Sequence, residues 1–229
     1  MVNYRPEYSH GWGSKTYYTQ LQVDSLPPES ANDLLTAVAG DDASLSDLKA
    51  LLIDRTDGNP FFLEESVRSL VEIGLLAGDR RAYRLTGSLR SIQVPATAQA
   101  MLAARIDRLP AEEKQLLQTA SVVGKDVPYA ILAVIADRPD DTLRADLGRL
   151  QAAEFLYEAS LYPELGYTFK HTLTHDVAYG SLLQARRTAL HAQVVEAIER
   201  LYADRLTEHV ERLAYHALSG EEWSKTVAY

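Results

Sequence analysis

Gly58-Asn59-Pro60-Phe61-Phe62-Leu63-Glu64-Glu65 packs a helix stop and a helix start into adjacent residues. Gly58 suits the left-handed C′ position that closes a helix. Asn59 is a strong N-cap, and Pro60 fits the first turn of a new helix, where no backbone N–H is required. The expected product is a sharp corner between two helices. A rigid pyrrolidine ring stands at its tip, beside the positive end of a helix dipole. Such a corner can press on a flat base or face an anion. In the minimal reading it is only a helix–helix turn carrying two core phenylalanines.

Helical punctuation continues on both sides. Upstream, Tyr17–Val23 is rich in Tyr and Thr and reads as a strand. Pro27-Pro28 opens a helix that Gly40 closes, and Ser44 caps another carrying Leu48, Leu51 and Leu52 on one face. Downstream, Leu63, Val67 and Leu70 recur at i, i+4 and i+7. Gly74 to Leu85 then reads as a small hairpin turned at Gly78-Asp79.

Pro95, Pro110 and Pro128 each open a helix, and Asp140 or Asp141 caps a further one with Leu143, Leu147 and Leu150 in line. Phe155-Leu156-Tyr157 and Tyr167-Thr168-Phe169 alternate as strands around Pro163–Gly166. Helices followed by a two-stranded wing describe a winged helix. From Thr174 onward the pattern is helical, with Val194, Val195, Ile198 and Leu201 on one stripe and Leu213, Ala214, Ala217 and Leu218 on the next. A third begins at Trp223. Short antiparallel helices of this kind resemble the start of a tetratricopeptide-type array. The expected fold class is mainly α: a helical lid, a winged-helix domain and the first part of a helical repeat array.

Composition narrows the function. The 229 residues are 46% hydrophobic and carry a formal net charge of −9. That acidic balance repels phosphate backbones and disfavours general nucleic-acid binding. The absence of cysteine excludes disulfides and thiolate metal sites. No apolar run approaches the roughly 18 residues that span a bilayer, and Met1–Arg5 has no signal-peptide pattern. A cytoplasmic protein without membrane partners is expected. Val2–Tyr4 reads as the tail of a strand and Thr226–Tyr229 stops inside a helical pattern, as expected of a piece of a longer chain.

Few residues offer chemistry of their own. Gly11–Thr16 ends in Lys15-Thr16 but lacks the glycines of a phosphate loop, with Ser14 and Ser9 in their places. Arg5 leaves a strand end, where α/β nucleotide-binding sheets face their ligand and a guanidinium can pair with a terminal phosphate. His171 and His175 have metal-ligand spacing, but Thr172 stands where a metalloprotease has glutamate, and no third ligand is identifiable. His171 is better placed as a phosphate donor where the wing strand enters a helix. His10, His191, His209 and His216 form no local pattern. No paired carboxylates, nucleophile elbow or dinucleotide fingerprint can be assigned, so no catalytic residue and no metal site are expected.

Arg5-Pro6-Glu7, the Gly58–Glu65 block, the segment from Val94-Pro95-Ala96-Thr97 to Arg105–Pro110, and Phe169–Tyr179 occur in an order that resembles the C-terminal part of a STAND-type signalling ATPase. The resemblance is closest to bacterial AAA+-related predicted ATPases, often fused behind a class III adenylate or guanylate cyclase. It implies four parts: residues 1–27 as the remnant of an α/β NTPase core, 28–90 as the lid, 91–183 as the winged helix, and 184–229 as the start of helical repeats. It implies that Arg5 is the sensor of the terminal phosphate. Pro60, in a corner shaped by Gly58 and Asn59, would lie against adenine, and His171 would contact phosphate. The cofactor would be ATP or ADP, with Mg²⁺ held through the N-terminal core. The partners would be that core, a cyclase domain in the same polypeptide, and a protein or small-molecule effector on the repeats.

The family's phosphate loop (Walker A) and acidic magnesium strand (Walker B) are not found in these residues. The chain by itself is therefore expected neither to hydrolyse ATP nor to bind it tightly. The expected function is a nucleotide-switched regulatory module. Two alternatives stand beside it. One is a DNA-binding winged helix, weakened by Asp140, Asp141 and Asp146 on its recognition helix. The other is a helical protein-interaction scaffold.

Overall fold

The computed structural model describes residues 24–88, 95–160 and 164–229. Arg5, the Gly11–Thr16 loop and the expected Tyr17–Val23 strand lie outside the described residues. The fold is mainly helical, with two small antiparallel sheets.

The first helices are α1 (Pro28–Ala39), α2 (Ser46–Thr56) and α3 (Pro60–Glu72). Gly40 ends α1 as its spacing predicts, its N–H bonding Thr36 O at 2.9 Å. The cap expected of Ser44 is corrected. Asp42 does the capping, accepting from Ser44 N at 3.0 Å and opening a 3₁₀ turn over Ala43–Leu45. α2 starts only at Ser46, and the Ser44 hydroxyl accepts instead from Leu85 N at 3.3 Å. Strands β1 (Leu76–Ala77) and β2 (Arg84–Leu85) pair as the small hairpin. Leu35, Leu45, Leu52, Leu63 and Leu76 form the centre of this unit's core.

The second body begins with α4 (Ala98–Asp107) and α5 (Ala111–Val123). α4 does not start at Pro95: Thr97 provides the cap, accepting from Ala100 N at 3.1 Å. Next come β3 (Asp126–Pro128), α6 (Tyr129–Ala136), α7 (Asp140–Ala152), β4 (Leu156–Ser160) and β5 (Gly166–Phe169). Pro139, not Asp140 or Asp141, occupies the N-cap position of α7. Both aspartates sit in the first turn, where they face the positive helix end.

The sheet has three strands where two are expected. β3 pairs with β5 through Val127 and Tyr167, and β5 pairs with β4 through Phe169 and Leu156, giving the order β3-β5-β4. β3 is too short to show an alternating pattern in sequence. Helices α8 (Thr172–Gly180), α9 (Gln184–Leu201), α10 (Val210–Ser219) and α11 (Trp223–Ala228) complete the chain. One continuous core joins Leu117, Leu132, Leu147 and Phe169 to Val194, Ile198 and Leu213, so α9 and α10 share the apolar interior of the sheet-bearing unit. Leu201 and Leu218 lie outside that interior, 38% and 55% exposed at the helix surface.

Candidate functional site

Two consecutive left-handed residues make the corner between α2 and α3. Asp57 (φ 50°) terminates α2, and Gly58 (φ 66°) follows at C′. A Cβ on Gly58 would lie 2.2 Å from Leu26 O, while Gly58 O itself accepts from Leu26 N at 3.0 Å. Asn59 Oδ1 accepts from Phe62 N at 3.1 Å, which fixes the start of α3 and places Pro60 in its first turn. Asn59→Ala should lower stability by about 1 kcal/mol through loss of this cap. Gly58→Ala should cost more, since both φ and the Leu26 carbonyl oppose a side chain. Urea unfolding of the two variants checks the ranking.

The two phenylalanines after Pro60 part company. Phe62 is buried in the interior. Phe61 turns toward the sheet-bearing unit and lies against His171, with ring centroids 4.4 Å apart at 55°. His171 occupies the N-cap position of α8 in extended conformation, with no side-chain cap bond. The corner at Pro60 and the histidine at the end of β5 are thus brought together, along with the first turns of two helices.

The imidazole of His171 is half-buried, and its Nε2 is a buried nitrogen without a hydrogen-bond partner. Burial pushes its pKa below the usual histidine value, and Lys170 adds to this. Glu65 and Glu64 oppose the shift without reversing it. The ring is neutral at pH 7, with one edge left unsatisfied. Such a buried polar atom is uncommon and marks a place where a ligand can supply the missing partner. His175, by contrast, is committed: its Nε2–H donates to Ser121 O at 2.9 Å, which occupies one of the two histidines considered for metal. Among the described residues, no group of three or more His, Asp or Glu side chains is arranged to hold a metal ion.

Behind the corner runs a charged seam that residue spacing did not disclose. Arg105 of α4 is almost fully buried, with its side chain 1% exposed. It pairs with Glu65, donates to Glu72 through Nε at 2.8 Å and Nη2 at 2.5 Å, and reaches Ala153 O at 3.0 Å. Its guanidinium also stacks over Phe155 at 4.7 Å. Arg68 bonds Glu65 at 2.5 Å and pairs with Glu154, which in turn pairs with Lys170, the neighbour of His171. Burial works to raise the Glu154 pKa, but the Lys170 hydrogen bond and the Arg68 charge outweigh it, and the carboxyl ends below its usual range. α3, α4, the α7–β4 junction and the β5–α8 junction are therefore tied by one ionic chain.

The basic groups of α7 are engaged within the protein. Arg144 Nε donates to Asp140 at 2.7 Å and stacks over Tyr129 at 4.7 Å. Arg149 pairs with Glu113 and Asp146, and Arg138 reaches Asp146 at 2.6 Å.

Compared with known protein families and with curated proteins, the chain matches none.

Proposed function

We propose that this chain is the regulatory part of a nucleotide-switched signalling ATPase of the STAND type. In this reading α1–α3 with β1–β2 form the lid. The order α5-β3-α6-α7-β4-β5 forms the winged helix, and α9–α11 begin a helical array. The observation that carries the reading is the contact of Phe61 with His171 across the two units, beside an unsatisfied buried Nε2. Residues distant in sequence thereby supply a flat apolar ring face, a capped helix start and an imidazole to one place.

These residues fit the group they would hold. The first turns of α3 and α8 favour negative charge, and a neutral imidazole can donate one N–H to a phosphate oxygen. An ATP or ADP molecule would supply the negative charge and the adenine face. Gly58, Asn59 and Pro60 would shape the base contact, and His171 would orient a phosphate. Mg²⁺ would be held through the NTPase core, together with the role assigned to Arg5. Lid and winged helix would then respond as a two-state pair, with nucleotide favouring one packing across the charged seam. A DNA-binding role draws less support, because the arginines of α7 are already neutralised by Asp140, Asp146 and Glu113.

The test uses the chain alone, for which only weak affinity is expected. Titration with ADP to about 10 mM, followed by amide and imidazole NMR shifts, should give millimolar binding confined to residues 59–62 and 171–173. His171→Ala should abolish the shifts at α8. The absence of shifts at this concentration, or shifts centred on another surface, would overturn the proposal.

A further inference from the structure

A cavity of about 330 Å³ opens in the seam between the two units, bordered by α3, the β1–β2 hairpin and the end of α7. Its apolar lining includes Val67, Val71 and Tyr83. Charged side chains stand around it, and most are already used. Arg68 and Glu154 pair with one another, and Glu72 is held by Arg105. Two charges remain, one of each sign. Glu64 and Arg80 line the cavity, and neither makes a hydrogen bond or ion pair among the described residues. Arg80 is exposed and Glu64 partly so. The field of Glu64 reaches His171 and that of Arg80 reaches Glu154, but no bond to either is formed.

We propose that this cavity binds a small zwitterion with an apolar body, of the size of an apolar amino acid or dipeptide. The ligand carboxylate pairs with Arg80 and its ammonium with Glu64, while its side chain covers the valines and Tyr83. The volume lies at the lower end of the small-molecule range. The chemistry follows from what the walls leave unmatched. A purely anionic ligand would leave Glu64 facing it, and a purely cationic one would leave Arg80. A fully apolar ligand would desolvate both charges without replacing their water, which is costly. The guanidinium fork also suits a carboxylate, which it can bind through two parallel bonds. This assignment is independent of the nucleotide reading, because Pro60 and His171 do not line the cavity.

The experiment is an NMR titration of the full chain with L-leucine and L-leucyl-L-leucine, each compared with its C-terminal amide and its N-acetyl derivative. Saturable shifts are expected at Val67, Val71, Tyr83 and Ala153. The amide and the acetyl forms should each bind at least ~10-fold more weakly than the zwitterion. Arg80→Gln should erase the discrimination against the amide, and Glu64→Gln the discrimination against the acetyl form. The ligand series on the unaltered chain stands even if a variant is poorly folded. Two results overturn the proposal. One is the absence of localised shifts with both zwitterions at ~10 mM. The other is equal binding of acid and amide.

Discussion

Arg105→Ala is expected to lower the unfolding free energy by about 3–5 kcal/mol, the usual cost of removing one member of a buried ion pair. The Arg105 side chain is 1% exposed and that of Glu65 is 3% exposed, so water cannot replace the lost partner without opening the seam. The variant also strands the Ala153 carbonyl and removes the cation over Phe155. Glu65 keeps Arg68 on Oε1, but Oε2, which faced Arg105, is left buried without its partner, and that dominates the loss. Glu65→Leu combined with Arg105→Met should therefore recover much of it, since both charges leave together and the volume stays filled. Urea unfolding of the two singles and the double gives the coupling directly. A loss under about 1 kcal/mol for Arg105→Ala would show the pair to be solvated like a surface bridge. An equal or larger loss in the double would show that the guanidinium acts through packing rather than charge.

Local chemistry made much of the fold readable. Pro28, Asn59-Pro60 and Pro110 mark helix starts because a fixed φ and a side-chain cap act within one turn. Leu63, Val67 and Leu70 are buried as their spacing predicts, because a single helix face decides their fate. Where an element is defined by distant partners, spacing fell short. β3 is a strand only because β5 pairs with it, and three residues carry no period of their own. Pro95 attracted the start of α4, but the hydroxyl of Thr97 is the group that bonds a free amide. The same division holds at the site. Pro60 and His171 stand out by residue type at element ends, whereas their approach to one another is a tertiary fact carried by Phe61, which looked like core. Arg105, Arg68, Glu154 and Lys170 escaped notice because no spacing rule links charges on four separate elements. Only the unusual place of Arg105, beside Leu102 and Ile106 on the buried face of α4, hinted at it.

The histidines that formed no pattern in sequence should make the protein sharply acid-sensitive. His191 of α9 and His216 of α10 are 1% and 2% exposed, with their Nδ1 atoms 2.7 Å apart. His216 donates the N–H of its other ring nitrogen to the Val123 carbonyl, which can only accept, so the proton between the two Nδ1 atoms is carried by His191 and given to His216. His191 Nε2 is then the acceptor of Tyr179 O–H at 3.0 Å. This tautomer chain satisfies every ring nitrogen only while both rings are neutral. Burial lowers the pKa of His191 to about 4, and Arg187 adds to the shift. Burial likewise lowers that of His216 to about 3, assisted by His191 and Arg212 and opposed by the Val123 bond. Both folded values lie below the unfolded value near 6.5, so below that pH the unfolded chain holds more protons. The contribution is fully present above about pH 6.5 and is lost as pH falls toward the folded values. Between pH 7 and pH 5 two such groups withdraw roughly 4 kcal/mol, with a limiting slope of about 2.7 kcal/mol per pH unit. The carboxylates with lowered pKa, Asp42, Asp140, Glu154 and Glu199, act only at lower pH, while His171 adds a smaller share in the same window because it is partly exposed. Urea unfolding at pH 7.5, 6 and 5 measures the slope. His191→Phe combined with His216→Leu removes both titrating rings, so its slope should fall to less than one proton whatever its stability at pH 7.5. A wild-type chain equally stable at pH 7.5 and 5, or a double variant that keeps the full slope, would mean that these rings are not the buried neutral pair their hydrogen bonds define.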